Sequence, residues 1–251
     1  MTSHICGLKA LVELSSTYED CRICEKLCES RSQVVFGSGS SSASIMVIAE
    51  APGEEEDAEG APFLGQSGRL LMELFAHAWP PSDRMEEIKA YDGNGNDEED
   101  DEYFEDLREY LDEHIFWTNV VLCRPPENRD PSPAEKKACR DRLHRTIYAI
   151  DPLLIVGVGK IAAAVLLGSS VQITQKRGHI YDISVPSPVT EDPVRYPMLA
   201  ILHPAFLLRK GDQGLVSRKR GNSYKTLQDL KWALGLLNLH NKAVFKTGFP
   251  E

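Results

Sequence analysis

The sequence of this 251-residue chain predicts a three-layer α/β/α fold, with helices on both faces of a central four-stranded, mostly parallel sheet. Short runs of apolar, β-branched residues alternate with longer segments of helical periodicity, a pattern typical of right-handed β-α-β crossovers. The composition is that of a globular protein, since 42% of the residues are hydrophobic and 26% are charged. No internal repeat is present. We therefore expect residues 1–251 to form one α/β domain.

The first residues are expected to lead into the sheet. Gly7–Leu14 is predicted as a short helix, Cys21–Cys24 as a loop and Val34–Phe36 as a short strand. Residues 37–42, GSGSSS, have the composition of a flexible joint.

The stretch from Ile45 to Phe63 is predicted to organise the rest of the chain. Ile45–Ile48 has the β-branched character of a strand buried on both faces, and it ends at Glu50-Ala51-Pro52-Gly53. A carboxylate-rich loop follows, then Phe63, then a helix over Ser67–Trp79. Ligands of open α/β sheets bind at the carboxyl ends of strands, where this loop would lie. Composition alone favours a solvated acidic loop instead.

The second half of the chain repeats the alternation of strand and helix. Ser132 with Glu135 forms a capping box, which predicts a helix that begins at Pro133. The predicted strands are Ile115–Leu122, Leu153–Val158, Gly178–Ile183 and Met198–Leu202. The predicted helices are Pro133–Ile150, Lys160–Leu167 and Ser223–Leu237.

The net charge of −10 comes from one acidic segment, residues 82–113. Of the 38 acidic and 28 basic residues in the chain, this segment holds 15 and 3, so the remainder carries 23 acidic and 25 basic residues. Such a block repels itself, and we expect a solvated, flexible insertion that is partly helical from about Tyr103. Its charge therefore does not exclude a nucleic-acid partner.

The six cysteines indicate metal or redox chemistry. The chain has no apolar run long enough to span a membrane and no secretory signal, so a reducing, cytoplasmic setting is expected. Cys21 and Cys24 have CxxC spacing, whereas Cys123 and Cys139 lie 16 residues apart. Zinc ribbons repeat the CxxC knuckle, and a [4Fe–4S] cluster does not need to. Spacing alone favours the cluster over zinc only slightly.

A glycine pair at the end of the third strand allows a different interpretation. Gly157-Val-Gly159-Lys-Ile-Ala162 loosely matches the GxGxxA turn of dinucleotide-binding proteins. No acidic residue ends a following strand to complete that motif, and a tight strand-to-helix turn also explains the two glycines.

Four motifs, taken together, resemble the family 4 uracil-DNA glycosylases, the iron–sulfur type of bacteria and archaea. They occur in the family's order between Cys21 and about Leu237, interrupted by the acidic segment. They are EAPG at 50–53 with ED at 56–57 and PFLG at 62–65, TNVVLCRPP at 118–126 with NRDPSPAE at 128–135, the four spaced cysteines, and HPAFLLR at 203–209. The resemblance implies uracil excision from single- or double-stranded DNA. It also implies a [4Fe–4S] cluster on Cys21, Cys24, Cys123 and Cys139.

The resemblance also implies the residues of the base pocket. Phe63 would stack on the flipped base, next to Ala51, and would fill the space of a thymine methyl group. Asn119 would read the Watson–Crick edge of uracil through its amide. His203 would donate a hydrogen bond to the uracil carbonyl oxygen as the base leaves. Glu50 and Glu56 would place water and stabilise the sugar cation, and which of them does which is left open.

DNA contacts are expected after His203. Leu207 and Leu208 are candidates for a wedge in the vacated base stack, and packing in the core is the alternative for both. A basic cluster would hold phosphates, and it comprises Arg209, Lys210, Arg218, Lys219 and Arg220.

Two departures from the family pattern and three rival functions accompany this resemblance. Ala49 stands where the family usually has Gly, and the acidic segment is longer than the family norm. The segment NRDPSPAE has no His, which disfavours covalent bonding to abasic DNA.

The rival functions are the dinucleotide enzyme, a non-catalytic iron–sulfur DNA-binding module, and electron transfer by a cluster that we expect to be a structural staple. A monomer is expected, with no membrane partner, and the acidic segment is where a protein partner would bind.

Overall fold

The structure is a computed structural model that describes residues 2–80, 82–89, 97–168, 170–209 and 221–239. Within these ranges it contains one six-stranded sheet. The strands are β1 (Ser38–Gly39), β2 (Ile45–Ala49), β3 (Ile115–Asn119), β4 (Leu154–Val158), β5 (Ile180–Val185) and β6 (Val194–Ile201). Their order across the sheet is β1-β3-β2-β4-β6-β5. The four inner strands are parallel and the two edge strands antiparallel, so the predicted parallel core is confirmed.

The helices of the described ranges lie before, between and after the strands. They are α1 (Thr2–Tyr18), α2 (Glu25–Ser30), α3 (Glu54–Glu59), α4 (Gln66–Ala78), α5 (Asp83–Lys89), α6 (Asp97–Asp112), α7 (Pro133–Ile150), α8 (Gly159–Leu167), α9 (Ile173–Lys176), α10 (Pro204–Arg209) and α11 (Asn222–Leu239), with a 3₁₀ turn at Pro126–Asn128. Ser132 caps α7 as predicted, since its hydroxyl accepts from the Glu135 N–H. None of the described helices is both long and apolar enough to cross a membrane.

Two apolar layers enclose the sheet. One layer contains Phe63, Phe75, Trp117 and Leu230, and the other contains residues such as Met46 and Met198. Helices α4 and α11 pack in the first layer, while α7 and α8 pack in the second. This is the three-layer arrangement that the alternation of elements predicts.

The parallel register brings the ends of the inner strands to one edge of the sheet. Ala49 lies opposite Asn119, and Val158 lies opposite Ile201. Beyond the strand ends, the Val121 N–H donates to the Glu50 carbonyl at 3.1 Å, which keeps these two segments side by side. The residues that follow β2, β3, β4 and β6 therefore share one edge.

Two predictions of local structure are wrong. Val34–Phe36 is not a strand. The Val35 N–H donates to the Leu122 carbonyl and the Phe36 carbonyl accepts from the Thr118 hydroxyl, but the chain joins the sheet as a strand later, at β1. The carboxylate-rich loop after β2 contains the helix α3. Glu56 caps this helix by accepting from the Gly53 N–H, and its acidic first turn matches the positive end of the helix dipole.

The prediction of a solvated acidic segment is wrong for the inner faces of its helices. Met85, Leu107 and Leu111 are fully buried, and they belong to the same apolar layer as Phe63. Helix α6 also begins earlier than predicted, at Asp97 rather than about Tyr103. The apolar residues are few but recur at helical spacing on one face, so the acidic residues of this helix can remain on the other.

Candidate active site

Asn119 ends β3 with a buried side chain at the edge where the strands finish. Trp117 lies two residues earlier, so both side chains point to the same face of the sheet. Within the described residues no hydrogen bond engages the Asn119 amide, whereas its backbone carbonyl accepts from Arg142 at 2.8 Å. The backbone is therefore held while the amide is available to a ligand.

Phe63 lies on that face, with its ring centroid 5.2 Å from that of Trp117. Its φ of 62° is a left-handed conformation, which costs a side-chain-bearing residue about 1–2 kcal/mol. Gly68 permits the arrangement, because a Cβ there would lie 2.0 Å from the Phe63 carbonyl oxygen. The aromatic ring is thus presented by a turn that its neighbours must hold in place.

Glu56 holds the other side of that turn. Its Oε1 accepts from the N–H groups of Leu64 and Gly65, both at 3.0 Å, and its Oε2 accepts from the Gly53 N–H at 2.9 Å. Both carboxylate oxygens are therefore engaged with the backbone. This arrangement suits a residue that positions the Phe63 turn.

Glu50 follows β2 and is partly buried. The pKa of Glu50 is raised to about 7, chiefly by burial and also by the nearby Asp130, while Lys136 opposes the rise. A carboxyl group with such a pKa accepts a proton readily near neutral pH. Ala51, next along the chain, is partly buried and packs against the second apolar layer.

His203 stands just past the end of β6, beside the turn after β4. The Ala205 N–H donates to its Nδ1 at 3.2 Å, so a neutral ring carries its proton on Nε2. The pKa of His203 is lowered to about 4, chiefly by burial and also by Arg209, while Glu56 opposes the drop. Near neutral pH the ring is therefore uncharged, with Nε2–H as its donor.

Gly159 makes room for that imidazole. It has a φ of +84°, and a Cβ there would lie 3.0 Å from His203 Cβ and 3.1 Å from Cδ2. The GxGxxA pattern is thus a tight strand-to-helix turn packed against a histidine. This explains the second glycine without a dinucleotide.

The predicted DNA-contacting residues separate into three groups. Leu207 is fully buried in the first apolar layer, which contradicts its prediction as a wedge, because α10 turns that side chain towards the core. Leu208 is partly buried and Arg209 is exposed, so both are accessible. Lys210, Arg218, Lys219 and Arg220 lie outside the described residues.

The four predicted cysteine ligands lie in one neighbourhood. The pKa of Cys123 is raised to about 11, chiefly by burial; Arg31 opposes the rise, and Cys139 and Cys21 contribute to it. Burial also raises the pKa of Cys24, followed by the influence of Cys139. Among the described residues, no three His, Cys, Asp or Glu side chains are close enough to bind one ion. The thiolates of a four-iron cluster each bind a different iron, so they stand further apart than the ligands of one ion.

Two arginines adjoin these thiols, and their chemistry fits an anionic group there. Arg31 Nη1 donates to Cys123 Sγ at 2.8 Å. Arg142 is fully buried on α7, and in the described part of the chain it has no carboxylate partner and its Nε has no hydrogen bond. A buried cation needs a nearby negative charge, which thiolates around a metal would supply. The donor set therefore fits an iron–sulfur cluster.

The structure adds residues that sequence reasoning missed. Gly159, Arg31 and Arg142 support predicted site residues, and Arg108 of α6 reaches the Phe63 turn. Asp130 acts electrostatically on Glu50. Only Gly159 carried a usable signal, as the second glycine of a GxG at a strand end. The arginines contact residues that are distant in the sequence.

Comparison with known proteins agrees with this geometry. A sequence model of the uracil DNA glycosylase superfamily matches residues 36–231. The Type-4 uracil-DNA glycosylase of Archaeoglobus fulgidus is 30% identical over 205 residues, which are 80% of this chain and 84% of that protein. The protein of the same name from Thermotoga maritima is 32% identical over 197 residues, 78% of this chain and 82% of that protein. The chain therefore belongs to the uracil-DNA glycosylase superfamily and, within it, to the type-4 family.

Proposed function

We propose that this protein removes uracil from DNA by hydrolysing the N-glycosidic bond, leaving free uracil and an abasic site. One observation carries the proposal: the Asn119 amide, the Phe63 ring and the neutral His203 follow three strands at the same edge of the sheet. The chain that carries them belongs to this family. The reaction needs no covalent intermediate, so the protein is a monofunctional glycosylase.

Recognition of the base belongs to Asn119 and Phe63. A base must leave the duplex before its glycosidic bond can be reached, and its Watson–Crick edge is then open to hydrogen bonding. The Asn119 amide offers one donor and one acceptor, which match the O4 and N3–H of uracil and mismatch cytosine. Phe63 stacks on the base, and Ala51 lies beside the pocket. The fixed ring fills the space that a thymine methyl group would need.

His203 stabilises the departing base. Negative charge builds on the uracil carbonyl oxygen as the glycosidic bond breaks, and the neutral imidazole donates Nε2–H to that oxygen. A preorganised donor of this kind contributes roughly 3 kcal/mol of transition-state stabilisation. Because Nδ1 already accepts from Ala205, the tautomer is set before substrate binds.

Glu50 and Glu56 divide the remaining work. Glu50 has a pKa near neutrality and is assigned to orienting the attacking water and stabilising the sugar cation. Glu56 uses both carboxylate oxygens on backbone N–H groups, and we assign it to positioning the Phe63 turn. The mechanism is dissociative, with the oxocarbenium sugar favoured by nearby negative charge.

The cofactor of the proposal is a [4Fe–4S] cluster held by Cys21, Cys24, Cys123 and Cys139. When bound, it joins the N-terminal segment to the sheet and supplies the negative charge that the buried Arg142 requires. Its role in this proposal is structural.

DNA binding is assigned to the residues after β6. Leu208 takes the role of the wedge, and Arg209 contacts phosphate together with the basic residues at 210 and 218–220. The monomeric state and the cytoplasmic location predicted from the sequence are part of the same proposal.

The test uses purified protein and a labelled oligonucleotide with one uracil, followed by alkali to cleave abasic sites. We expect scission by the unaltered protein and a loss of about a hundredfold in rate for His203→Ala. His179→Ala is the matched control, since His179 is an exposed histidine elsewhere in the chain. An oligonucleotide with cytosine in place of uracil should remain intact.

No scission by iron-loaded protein would overturn the enzymatic proposal and favour the non-catalytic DNA-binding module. Equal rates for His203→Ala and the unaltered protein would support the activity but contradict the role proposed for His203.

A further inference from the structure

Arg108, a basic residue of the acidic segment, contacts the turn that presents Phe63. Arg108 lies on α6, and its side chain is 15% exposed. Its Nη1 donates to the Pro62 carbonyl oxygen at 2.9 Å, and its Nε donates to Asp112 Oδ1 at 2.8 Å. A further hydrogen bond joins Arg108 Nη2 to the Ser38 hydroxyl. One guanidinium therefore ties together α6, the edge strand β1 and the residue before Phe63.

The same guanidinium also lies behind the aromatic wall of the pocket. It stands 5.4 Å from the centroid of Trp117, and the indole Nε1–H donates to Asp112 Oδ1 at 2.6 Å. Asp112 thus accepts from both Arg108 and Trp117, which fixes their relative position. Trp117 in turn contacts Phe63, with ring centroids 5.2 Å apart.

The turn that presents Phe63 is consequently held from both ends. Arg108 binds the carbonyl that precedes Phe63, and Glu56 binds the two N–H groups that follow it. Phe63 has a left-handed φ, so the turn would relax towards an ordinary conformation if one of these holds were removed. The ring would then lose its fixed place.

We propose that Arg108 is a positioning residue of the uracil pocket. Through the Pro62 carbonyl and the Trp117 ring, it fixes Phe63 where the ring stacks on uracil and excludes a substituent at C5 of the base. The helix α6 of the acidic segment is, on this account, a wall of the active site. The inference rests on the proposed uracil excision.

Kinetics of Arg108→Ala and Arg108→Lys test the proposal, measured beside unaltered protein on oligonucleotides with uracil or 5-bromouracil. Bromine is close to a methyl group in size, so 5-bromouracil probes the space beside Phe63. For Arg108→Ala we expect kcat/KM on uracil to fall roughly ten- to a hundredfold, the range for a misplaced pocket residue. We also expect the preference for uracil over 5-bromouracil to narrow. Arg108→Lys retains a donor and a charge, so it should be intermediate in both.

Two controls separate positioning from folding and from the proposed function itself. Glu105→Ala removes an exposed side chain of the same helix and should leave both rates unchanged. A folding defect alone would lower the rates on uracil and on 5-bromouracil by the same factor and leave the preference between them unchanged. That result, in either Arg108 variant, would overturn the proposal. No scission by unaltered protein would defeat uracil excision, whereas normal scission with an unchanged preference in both variants would defeat only the role of Arg108.

Discussion

At the scale of single residues, the site works because of where its titratable groups stand. Glu50 and His203 carry the largest shifts in opposite directions, and both come from burial. Burial disfavours the charged form, so it raises the pKa of the carboxyl group to about 7 and lowers that of the imidazole to about 4. Near neutral pH the Glu50 carboxyl group therefore titrates, whereas the His203 imidazole stays uncharged.

The pH dependence of activity should follow Glu50 and not His203. We expect kcat to rise through about pH 7 as Glu50 ionises, with no inflection from His203 above about pH 4. Glu50→Gln should lower kcat and remove the inflection. Single-turnover rates between pH 5 and 9 measure this, and an inflection that persists in Glu50→Gln would contradict the assignment.

Glu50→Gln should lower kcat but raise the stability of the folded protein. The pKa of Glu50 is raised in the folded protein, so its contribution to folding is fully present below the pKa of the unfolded chain and is lost as the pH rises through about 7. Glu50→Gln should therefore raise the melting temperature at pH 8 more than at pH 5. Thermal unfolding at the two pH values provides the check.

At the scale of elements, the site depends on how short segments are tied to the sheet. The helix α3 and the Phe63 turn are joined through one carboxylate, since Glu56 caps the helix and accepts from Leu64 and Gly65. The strand end at Asn119 is joined to α7 by Arg142, which donates to the carbonyls of Asn119 and Val120 at 2.8 and 2.9 Å. Each of these contacts links a residue that we propose to bind the base to a helix of the fold.

Removal of the Glu56 carboxylate should loosen the Phe63 turn. Glu56→Ala leaves three N–H groups without their acceptor, and hydrogen bonds to a charged group contribute about 1.5–3 kcal/mol each. We expect a loss of roughly 3 kcal/mol in the free energy of unfolding, on the assumption that water partly replaces the acceptor. kcat/KM should fall at the same time.

Glu59→Ala is the matched control for that measurement. Glu59 is an exposed glutamate at the end of the same helix. Denaturant unfolding of the two variants should differ clearly in midpoint. If Glu56→Ala unfolds at the same midpoint as Glu59→Ala, the carboxylate does not hold the turn.

At the scale of the whole molecule, the cysteine site and the base pocket are linked through one buried charge. Arg142 is fully buried, and the negative charge of the Cys139 thiolate is the largest influence that opposes the burial-induced drop in its pKa. In a protein without the cluster, the guanidinium lacks the negative charge that the cluster would supply. Loss of the cluster should therefore disturb the end of β3, which lies next to Arg142.

A double-mutant cycle with Arg142→Met and Cys123→Ser tests this link. Breaking a buried charge pair by removing one partner costs about 3–5 kcal/mol, so Arg142→Met should destabilise the cluster-loaded protein. In the Cys123→Ser background, which lacks one of the four proposed cluster ligands, the same change should cost much less or even stabilise. Unfolding free energies of the four proteins, with iron content measured for each, give the coupling. Additive effects of the two substitutions would contradict it.

Much of this architecture is determined by sequence that is local. The buried strands are short β-branched runs closed by Pro and Gly, and the capping box places the start of α7 at Pro133. The motifs at 50–65, 118–135 and 203–209 indicate the family before any contact is known. Three of the residues that we propose carry the chemistry, Glu50, Asn119 and His203, lie at or close to the ends of strands.

Other features were decided only by tertiary structure, because they depend on neighbours that are remote in the chain. The acidic α6 is part of the core because Leu107 and Leu111 pack in an apolar layer. The composition of the segment does not reveal such a narrow apolar face, because the many acidic residues outweigh the few apolar ones. The separate roles proposed for Glu50 and Glu56 follow from burial around the first and backbone N–H groups around the second, although both occur in one acidic stretch. Leu207 and Leu208 are adjacent and alike, and only the packing of α10 buries the first while leaving the second accessible. Local sequence specifies which residues can do the chemistry, and the long-range contacts specify which of them do.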